Sequence, residues 1–455
     1  MKKILIANRG EIACRIARTC RQMGIQTVAV HSDVDAHALH VKNADQSVAI
    51  GPAPAASSYL DKTALINAAL STGAEAIHPG YGFLSESGDF AQAVEAAGLI
   101  WIGPPPQTLR DMGDKNQARH LATAAGVPVL PASAPWDGGD MQPLLQAANE
   151  IGFPLLVKAA GGGGGIGMRR VDTPDKLEAT VSATHSQAAR SFGSGKVYVE
   201  KFIQRSRHIE VQVFGTGDGR AVALWDRDCS VQRRFQKVIE EAPAADISPE
   251  HRKAMSDAAV TLAKATSYRS AGTVEFIVDA DTGNFFFLEM NTRIQVEHGI
   301  TEMILGVDLV ERQLKLANGE ISDNLLSVPE PRGVAIEARI YAENPAKGFL
   351  PQPGTLNVFV LPEGMENVRI DTGVTQGDSV TPFYDPMIAK VMAFGSDRNA
   401  AIDRLHDALA AIRLDGLASN LPFLIRSVLH PVYRAGPVCT DFITTYQNEL
   451  VNDPD

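Results

Sequence analysis

No apolar run in this chain of 455 residues approaches the roughly 18 that a membrane-spanning helix needs, so a helical membrane protein is not expected. Cysteine is scarce. Cys14, Cys20, Cys229 and Cys439 are the whole supply, and none has CxxC spacing. That points to a reduced, cytosolic protein without a structural zinc site. Positive charge is in deficit, 42 Lys+Arg against 53 Asp+Glu for a net charge of -11. Sequence-independent nucleic-acid binding needs phosphate-neutralising cations, so it is not expected, although a local basic pocket can still hold anions. The turn after the first strand reads Asn8-Arg9-Gly10-Glu11, not GxGxxG. A dinucleotide site of the NAD type is weak on that ground. No Gly-Lys-Ser/Thr opens a helix, so there is no P-loop, and there are no internal repeats.

What is present is ordinary for a globular protein. Hydrophobic residues are 45% and charged residues 21%, which excludes disorder and fibrous architecture. At roughly 150 residues per domain the length suggests about three domains. The start, Met1-Lys2-Lys3-Ile4-Leu5-Ile6-Ala7, reads as a first β-strand rather than a signal peptide. A strand over Lys3 to Ala7 is followed by a helical stripe, Ile12, Ala13, Ile16, Ala17 and Cys20, that Gly24 stops. With a strand over Thr27 to Val30 this is a βαβ opening and predicts a parallel sheet. Ala74 to Ile77 is a further strand, running into the loop His78-Pro79-Gly80-Tyr81-Gly82-Phe83.

Leu155 to Ala159 reads as a strand, followed by five glycines (161 to 165) and a strand-like Met168-Arg169-Arg170-Val171. Glycines let backbone N–H groups close round an anion, so the run reads as a hairpin cover over phosphates. Thr173-Pro174 and Ser248-Pro249-Glu250 are helix starts, the second running to about Thr266. Asp308 with Glu311 makes a capping-box-like start. After Pro331 the pattern is of short strands and turns, with a helix from Arg398 to Ala411. Asp226 to Glu241 mixes Arg227, Arg233, Arg234 and Lys237 with carboxylates, and reads as a solvated charge run. Lys196 to Ile203 reads as an ordinary core strand. Lys115, Lys158 and His208 carry little weight singly.

The strongest chemical signal lies from Gly272 to His298. A hairpin centred near Thr282 sets Glu275 opposite Glu289 on one face. Like charges across a ladder repel, and a hard divalent cation would offset them. Continued at period two, that face carries Asn291, Arg293, Gln295 and Glu297. Carboxylates for a metal, a glycine cover, lysines and an acid–base strip together make the inventory of a phosphoryl-transfer site.

On Ile6 to Ala13, His78 to Glu86, Met112-Gly113-Asp114-Lys115, Lys158-Ala159-Ala160 with the glycines, Arg227 to Ser230, Gln232-Arg233-Arg234 and Glu289 to His298, the sequence resembles the biotin carboxylase component of biotin-dependent carboxylases, in the ATP-grasp superfamily. The resemblance implies an α/β and α+β fold. It has an N-terminal parallel-sheet domain (1–113), an ATP-grasp domain (114–330) with a glycine-rich lid at about 131–203, and a C-terminal mixed β/α domain (331–446). It implies ATP contacts from Lys115, Lys158, Gly164, Gly165, Glu200, Lys201, Phe202, Ile203, His208, Gln232, Glu275 and Glu289. Magnesium or manganese would sit on Glu275, Glu289 and Asn291. Bicarbonate would meet Lys237, Arg293, Gln295, Val296 and Glu297, with Glu297 the general base. Arg339 would meet biotin and stabilise its enolate, and Asp385 would support. The lid would be mobile and close on ATP.

The implied reaction is ATP-dependent carboxylation of biotin through carboxyphosphate. No Ala-Met-Lys-Met carrier motif is found, so biotin is expected on a separate carrier protein, with carboxyltransferase subunits elsewhere. The resemblance further implies a cytoplasmic homodimer with no nucleic-acid or membrane partner, and an acetyl-CoA or other acyl-CoA as final acceptor, with urea or an organic acid as alternatives. The rival readings are an ATP-grasp carboxylate–amine ligase and a non-catalytic regulatory homologue. Two positions depart from the usual family pattern: Phe235 stands where histidine is common, and Gly299 where proline is common. Histidine at 235 could contact ATP. Phenylalanine there leaves two readings, a border of the nucleotide or packing in the core.

Overall fold

The computed structural model describes residues 1–160, 168–192 and 194–451. Its first unit is a parallel sheet of β1 (Lys3–Ile6), β2 (Gln26–Ser32), β3 (Gln46–Gly51), β4 (Ala76–His78) and β5 (Ile100–Trp101), in the order β3-β2-β1-β4-β5. Alternation along β1 explains why both faces are covered. Ile4 and Ile6 enter one apolar cluster, while Leu5 and Ala7 enter another. Gly10, at φ +66, turns the chain from β1 into α1 (Gly10–Gln22), the helix expected from the apolar stripe. The strand order reverses between β1 and β4, and loops leaving such a point form a crevice. Here Asn8 Nδ2 donates to the carbonyls of Pro79 and Tyr81, at 2.7 Å each, tying the two loops together.

The second unit is an antiparallel sheet of eight strands. In spatial order these are β13 (Phe285–Asn291), β12 (Arg269–Asp279), β9 (Ser206–Thr216), β10 (Ala221–Arg233), β11 (Gln236–Ala242), β14 (Val334–Tyr341), β16 (Met387–Gly395) and β15 (Val368–Thr372). Two expectations are corrected here. The charge run from Asp226 to Glu241 is solvated only around its turn, Arg234 to Gln236. It forms the middle of this sheet, with Arg227 and Glu240 at 0% exposure. The segment after Pro331 also contributes more than short strands, because β14 and β16 are long and extend the sheet.

One face of the sheet is apolar. Ile209, Val211, Val213, Val274 and Phe276 pack with α2 (Lys115–Ala124) and α3 (Pro249–Ala265). Farther along, Ile336, Ala338, Ile340 and Val391 meet the C-terminal core. The intervening residues, His208, Glu210, Thr273, Glu275, Glu337 and Arg339, belong by alternation to the opposite face. Two helices cross the region beyond β13: α4 (His298–Leu305) and α5 (Leu309–Ala317). Asp308 caps α5 by accepting from the Glu311 amide at 2.9 Å. The expected capping box is only half made, because the Glu311 carboxylate turns to Lys315 at 2.6 Å.

A small third sheet, β7-β6-β8, is built from β6 (Leu155–Ala159), β7 (Met168–Val171) and β8 (Val197–Lys201). The helices Gln142–Ile151 and Leu177–Phe192 cover it, with a core of its own that includes Leu155, Val157, Val181 and Val199. Pro174 opens a 3₁₀ turn rather than the helix itself. The glycine run, with Gly164 and Gly165, lies outside the described residues.

Candidate active site

The hairpin of β12 and β13 places Glu275 opposite Glu289, as the spacing predicts. It does so through a bulge. The ladder pairs Phe276 with Phe287 and then Glu275 with Glu289, so Leu288 is the extra residue. The strand does not continue to Glu297. It ends at Asn291, residues 292–297 are irregular, and α4 starts at His298. The polar residues still converge. Asn291 Nδ2 donates to Glu275 Oε1 at 2.8 Å, and Gln295 Nε2 reaches the same oxygen at 3.4 Å. Arg293 donates to Gln295 Oε1 at 3.0 Å and to Asn291 Oδ1 at 3.2 Å. The Val296 carbonyl accepts from Lys390 Nζ at 2.6 Å. The loop is therefore held by side chains in place of a ladder.

Lys237 is the hub. A bulge at Val238 on β11 brings it onto the polar face together with Glu240. Its Nζ lies 2.5 Å from Glu210 Oε2, 2.6 Å from Glu297 Oε1 and 2.8 Å from Glu275 Oε1. Burial opposes its charge, but Cys229, Glu210, Glu275 and Glu297 outweigh that and hold its pKa well above the ordinary value. Glu297 is 0% exposed. Burial would raise its pKa, yet Lys237, Arg339 and Arg227 hold it well below the carboxylate range. Glu275 is lowered likewise, against its burial, by Lys237 and His208. His208 Nε2 lies 2.9 Å from Glu275 Oε2 and its Nδ1 is 2.6 Å from Gln232 Nε2. Burial lowers the imidazole pKa and Glu275 more than restores it.

Whether these residues suit a divalent cation is answered by Glu289. Among the described residues no hydrogen bond or ion pair reaches its carboxylate, and burial followed by Glu275 raises its pKa. A hard cation between Glu275 and Glu289, with the Asn291 amide oxygen beside it, would remove that repulsion, so the donor set fits. A second carboxylate cluster is already neutralised. His208, Glu210 and Glu275 each bring a donor atom within 4.8 Å of the others, but the Lys237 ammonium contacts Glu210 and Glu275 there.

Arg339, on β14, places Nη2 2.9 Å from Glu297 Oε2 and 2.6 Å from Glu240 Oε1. Asp385 lies at the start of β16, accepting from the Met387 amide at 2.9 Å. On β6 and β8, Lys158 pairs with Glu200, which Arg119 also approaches at 3.5 Å. The Lys201 side chain turns away, donating to the carbonyls of Gly152 at 3.0 Å and Phe153 at 3.2 Å. The Phe202 ring lies under the Arg170 guanidinium, 4.6 Å away, and Ile203 directly precedes the turn into β9. Lys115 is exposed at the start of α2. Phe235 fits neither core packing nor burial against a neighbour. It is 69% exposed, in the two-residue turn Arg234–Phe235 that joins β10 to β11. Gly299 is explained by packing. A Cβ there would come within 2.3 Å of Met392 Sδ, so Met392 fills the space a proline ring would need.

Sequence reasoning missed three residues. Arg227, 0% exposed, donates to Glu210 at 2.5 Å and to Gln212 and Thr301 at 2.8 Å each, so it fixes the carboxylate that faces Lys237. Glu86 holds the Arg293 loop, accepting from the Thr292 amide at 3.1 Å and lying 3.2 Å from Arg293 Nε. Glu240 stands against Arg339. Glu86 sits in a motif already singled out, and Arg227 and Glu240 lie in the run taken for a solvated face.

Comparison with known proteins agrees over the whole length. The family described as "Biotin carboxylase, N-terminal domain" matches residues 1–109, "Carbamoyl-phosphate synthase L chain, ATP binding domain" matches 114–325, and "Biotin carboxylase C-terminal domain" matches 337–445. The methylcrotonoyl-CoA carboxylase subunit alpha, mitochondrial, of Oryza sativa subsp. japonica is 51% identical over 99% of this chain and 61% of its own length. The chain thus spans about three fifths of that relative. Biotin carboxylase 1 of Bacillus subtilis is 45% identical over 98% of this chain and 99% of its own. The biotin carboxylase of Campylobacter jejuni in its beta-gamma-ATP complex superposes with a TM-score of 0.91 at 41% identity, covering 98% of each chain. The biotin carboxylase domain dimer of Hydrogenobacter thermophilus 2-oxoglutarate carboxylase, in complex with MgADP, ADP and bicarbonate, gives 0.91 at 40% identity over 100% of this chain and 99% of that one. With the same three family regions in order and a full-length relative at this identity, the chain belongs to the biotin carboxylase family.

Proposed function

We propose that this protein carboxylates biotin at the expense of ATP, using bicarbonate. The observation that carries the reading is the buried line Lys237–Glu297–Arg339, in which one carboxylate is held between two cations beside the Glu275 and Glu289 pair. Glu297 takes the bicarbonate proton. A bicarbonate oxygen then bonds to the γ-phosphorus as the bond to the ADP oxygen breaks, giving carboxyphosphate. In the resting site Lys237 and Arg339 make Glu297 a weak base. A bound bicarbonate shared among Lys237, Arg293 and Gln295 draws off part of the Lys237 charge, and the basicity of Glu297 rises. Magnesium on Glu275, Glu289 and Asn291 would neutralise phosphate charge. Lys115, Lys158, Gly164, Gly165 and His208 would meet the ATP phosphates or ribose, Glu200, Lys201, Phe202 and Ile203 would frame the base, and Gln232 would orient His208. Arg339 is assigned to the charge that develops on the biotin ureido oxygen.

The domain division is proposed as 1–113, 114–330 and 331–446, a reading supported by family matches over 1–109, 114–325 and 337–445. Biotin arrives on a carrier domain, and the relatives' names support an acyl-CoA of the methylcrotonoyl class as final acceptor. Dimer formation is supported by the dimeric Hydrogenobacter domain. No described helix is long and apolar enough to cross a membrane. A cytoplasmic location is the reading supported by the bacterial relatives. The test is ATP hydrolysis by the purified chain with magnesium. Dependence on bicarbonate and stimulation by free biotin are expected. ADP formation driven by a carboxylate and an amine without bicarbonate would sink the reading.

A further inference from the structure

Glu240 on β11 and Glu337 on β14 are direct partners across the antiparallel ladder, and both are 0% exposed. Alternation along β14 puts Glu337 on the same face as Arg339, two residues on. None of the four oxygens of Glu240 and Glu337 accepts a well-aligned hydrogen bond among the described residues. Their nearest cation is Arg339, with Nη2 2.6 Å from Glu240 Oε1 and Nε 3.9 Å from Glu337 Oε1. That guanidinium is shared with Glu297.

The charges on this face do not balance. Glu210, Glu240, Glu275, Glu297 and Glu337 are buried carboxylates, against the cations Arg227, Lys237 and Arg339, with the His208 imidazole, its pKa raised, against burial, by Glu275, at the Glu275 end. Lys390 lies 3.3 Å from Glu11 and also opposes the Glu337 charge. A divalent cation on Glu275 and Glu289 would relieve one end of the site. At the Glu240 and Glu337 end the cations are shared, Arg339 with Glu297 and Lys390 with Glu11, and two like charges facing each other in a buried site cannot both stay ionised.

We propose that Glu240 and Glu337 share one proton, as O–H···O⁻, and are positioning residues that limit the negative charge set against Arg339. The proposal rests on the assignment of Arg339 to the ureido oxygen. With the proton in place Arg339 faces two negative charges, that of Glu297, which Lys237 shares, and the single charge of the pair. Loss of the proton to water leaves Arg339 among three carboxylates, Glu240, Glu297 and Glu337, and its field at the ureido oxygen falls. The groups facing the pair are Arg339 from β14, Lys237 from β11, Glu297 from the loop before α4, and Lys390 from β16. Cys229, Tyr341 and Tyr433 stand farther out and are kept un-ionised by burial. Burial and then, against Arg339, the Glu297 charge push Glu240 up to about 7. Burial likewise raises Glu337, with Lys390 opposing and Glu240 adding.

The readout is the ratio of biotin carboxylation to biotin-independent, bicarbonate-dependent ATP hydrolysis, measured across pH on the whole chain. The ratio cancels limbs that belong to phosphoryl transfer. In the unaltered protein it should fall as pH rises, by up to about tenfold per unit above the pair's pKa. In Glu240→Gln and in Glu337→Gln the pair has one carboxylate and no proton to lose, so the alkaline fall should vanish. A flat ratio in the unaltered protein, or a fall that persists in both variants, overturns the proposal. Infrared difference spectra keep it testable if a variant does not fold: a protonated-carboxyl band present near neutral pH supports the shared proton, and its absence overturns it. Arg339→Ala separates the two layers. If it lowers both rates equally, the assignment of Arg339 fails. If it is selective while the ratio in the unaltered protein is flat, the shared proton alone fails.

Discussion

In the parallel sheet of the first hundred residues burial goes to hydrocarbon. Ile4, Leu5, Val28 and Ile77 are all 0% exposed. On the polar face of the eight-stranded sheet the same dryness encloses Glu210, Arg227, Glu240, Glu297 and Glu337, also 0% exposed. The two regions are equally dry, yet their energetics differ. A buried Leu or Ile contributes about 1.5–3 kcal/mol. A buried ion pair roughly breaks even against its desolvation, and becomes a liability as soon as one partner is removed. The first sheet is a foundation, while the second holds charges close together, as the proposed reaction requires.

The largest effect expected is on chemistry. Glu297→Gln keeps shape but cannot accept a proton, and should lower bicarbonate-dependent ATP cleavage roughly a hundred- to ten-thousand-fold with nucleotide affinity nearly unchanged. Near-full turnover would remove Glu297 from the base role. Arg339→Ala should reduce biotin carboxylation by more than it reduces biotin-independent hydrolysis, because the proposed mechanism assigns its charge to the ureido oxygen.

Stability sharpens the contrast. Arg227→Met leaves Glu210 to Lys237 and takes the donor from Gln212 and Thr301, and should cost about 3–5 kcal/mol by denaturant titration, and Leu5→Ala about 2–5 kcal/mol. The second substitutions should part company. Adding Glu210→Leu to Arg227→Met should recover much of the loss, since no charge is left unpaired. Adding Val28→Ala to Leu5→Ala, at its register partner, should deepen it. If both doubles behave alike, the two regions are not held by different forces.

Acid should attack the ionic region selectively. Asp371 lies 2.5 Å from Arg369 and 2.9 Å from Arg18, and Glu302 lies 2.7 Å from both Arg15 and Arg369. Burial would raise both pKa values, but Arg369 and Lys390 for Asp371, and Arg15 and Arg369 for Glu302, lower them. A folded-state pKa below the unfolded one gives stability that is present above the ordinary carboxylate range and is lost as pH falls through it. The unfolding midpoint should therefore drop below about pH 4–5, and Asp371→Asn should flatten that drop while lowering the midpoint at neutral pH. The smallest effect belongs to Phe235. Arg234 and Phe235 have φ of +48 and +66, a turn that favours Asn-Gly. Phe235→Gly should raise stability by under about 1 kcal/mol, and a clear loss would mean that the exposed ring has a partner.

The parts written locally were legible. The stripe in α1, the Ser248 cap and the register of Glu275 with Glu289 all follow from residues within a few turns of one another. The buried charges of β10 and β11 were not, because what makes them buried comes from afar. Arg227 is satisfied by Glu210, Gln212, Thr273 and Thr301, drawn from three other segments. Glu241 is met by Arg398 at 2.8 Å, from the far end of the chain. The strip from Asn291 to Glu297 was read as extended because its period-two pattern was real. Glu86 and Lys390, from opposite ends of the chain, hold it as a loop instead.

Pairing of β11 with β14 has a consequence for synthesis. At ~5–20 residues per second, β11 leaves the ribosome several seconds or more before β14 and β16 exist to cover it. During that interval it is the open edge of a nascent sheet, the kind of edge that recruits other chains. Lys237, Glu240 and Glu241 then stand in water, and their charges discourage such pairing. Charges that end buried in the folded sheet would first act as guards, and the ionic face would come into being only when the last third of the chain arrives.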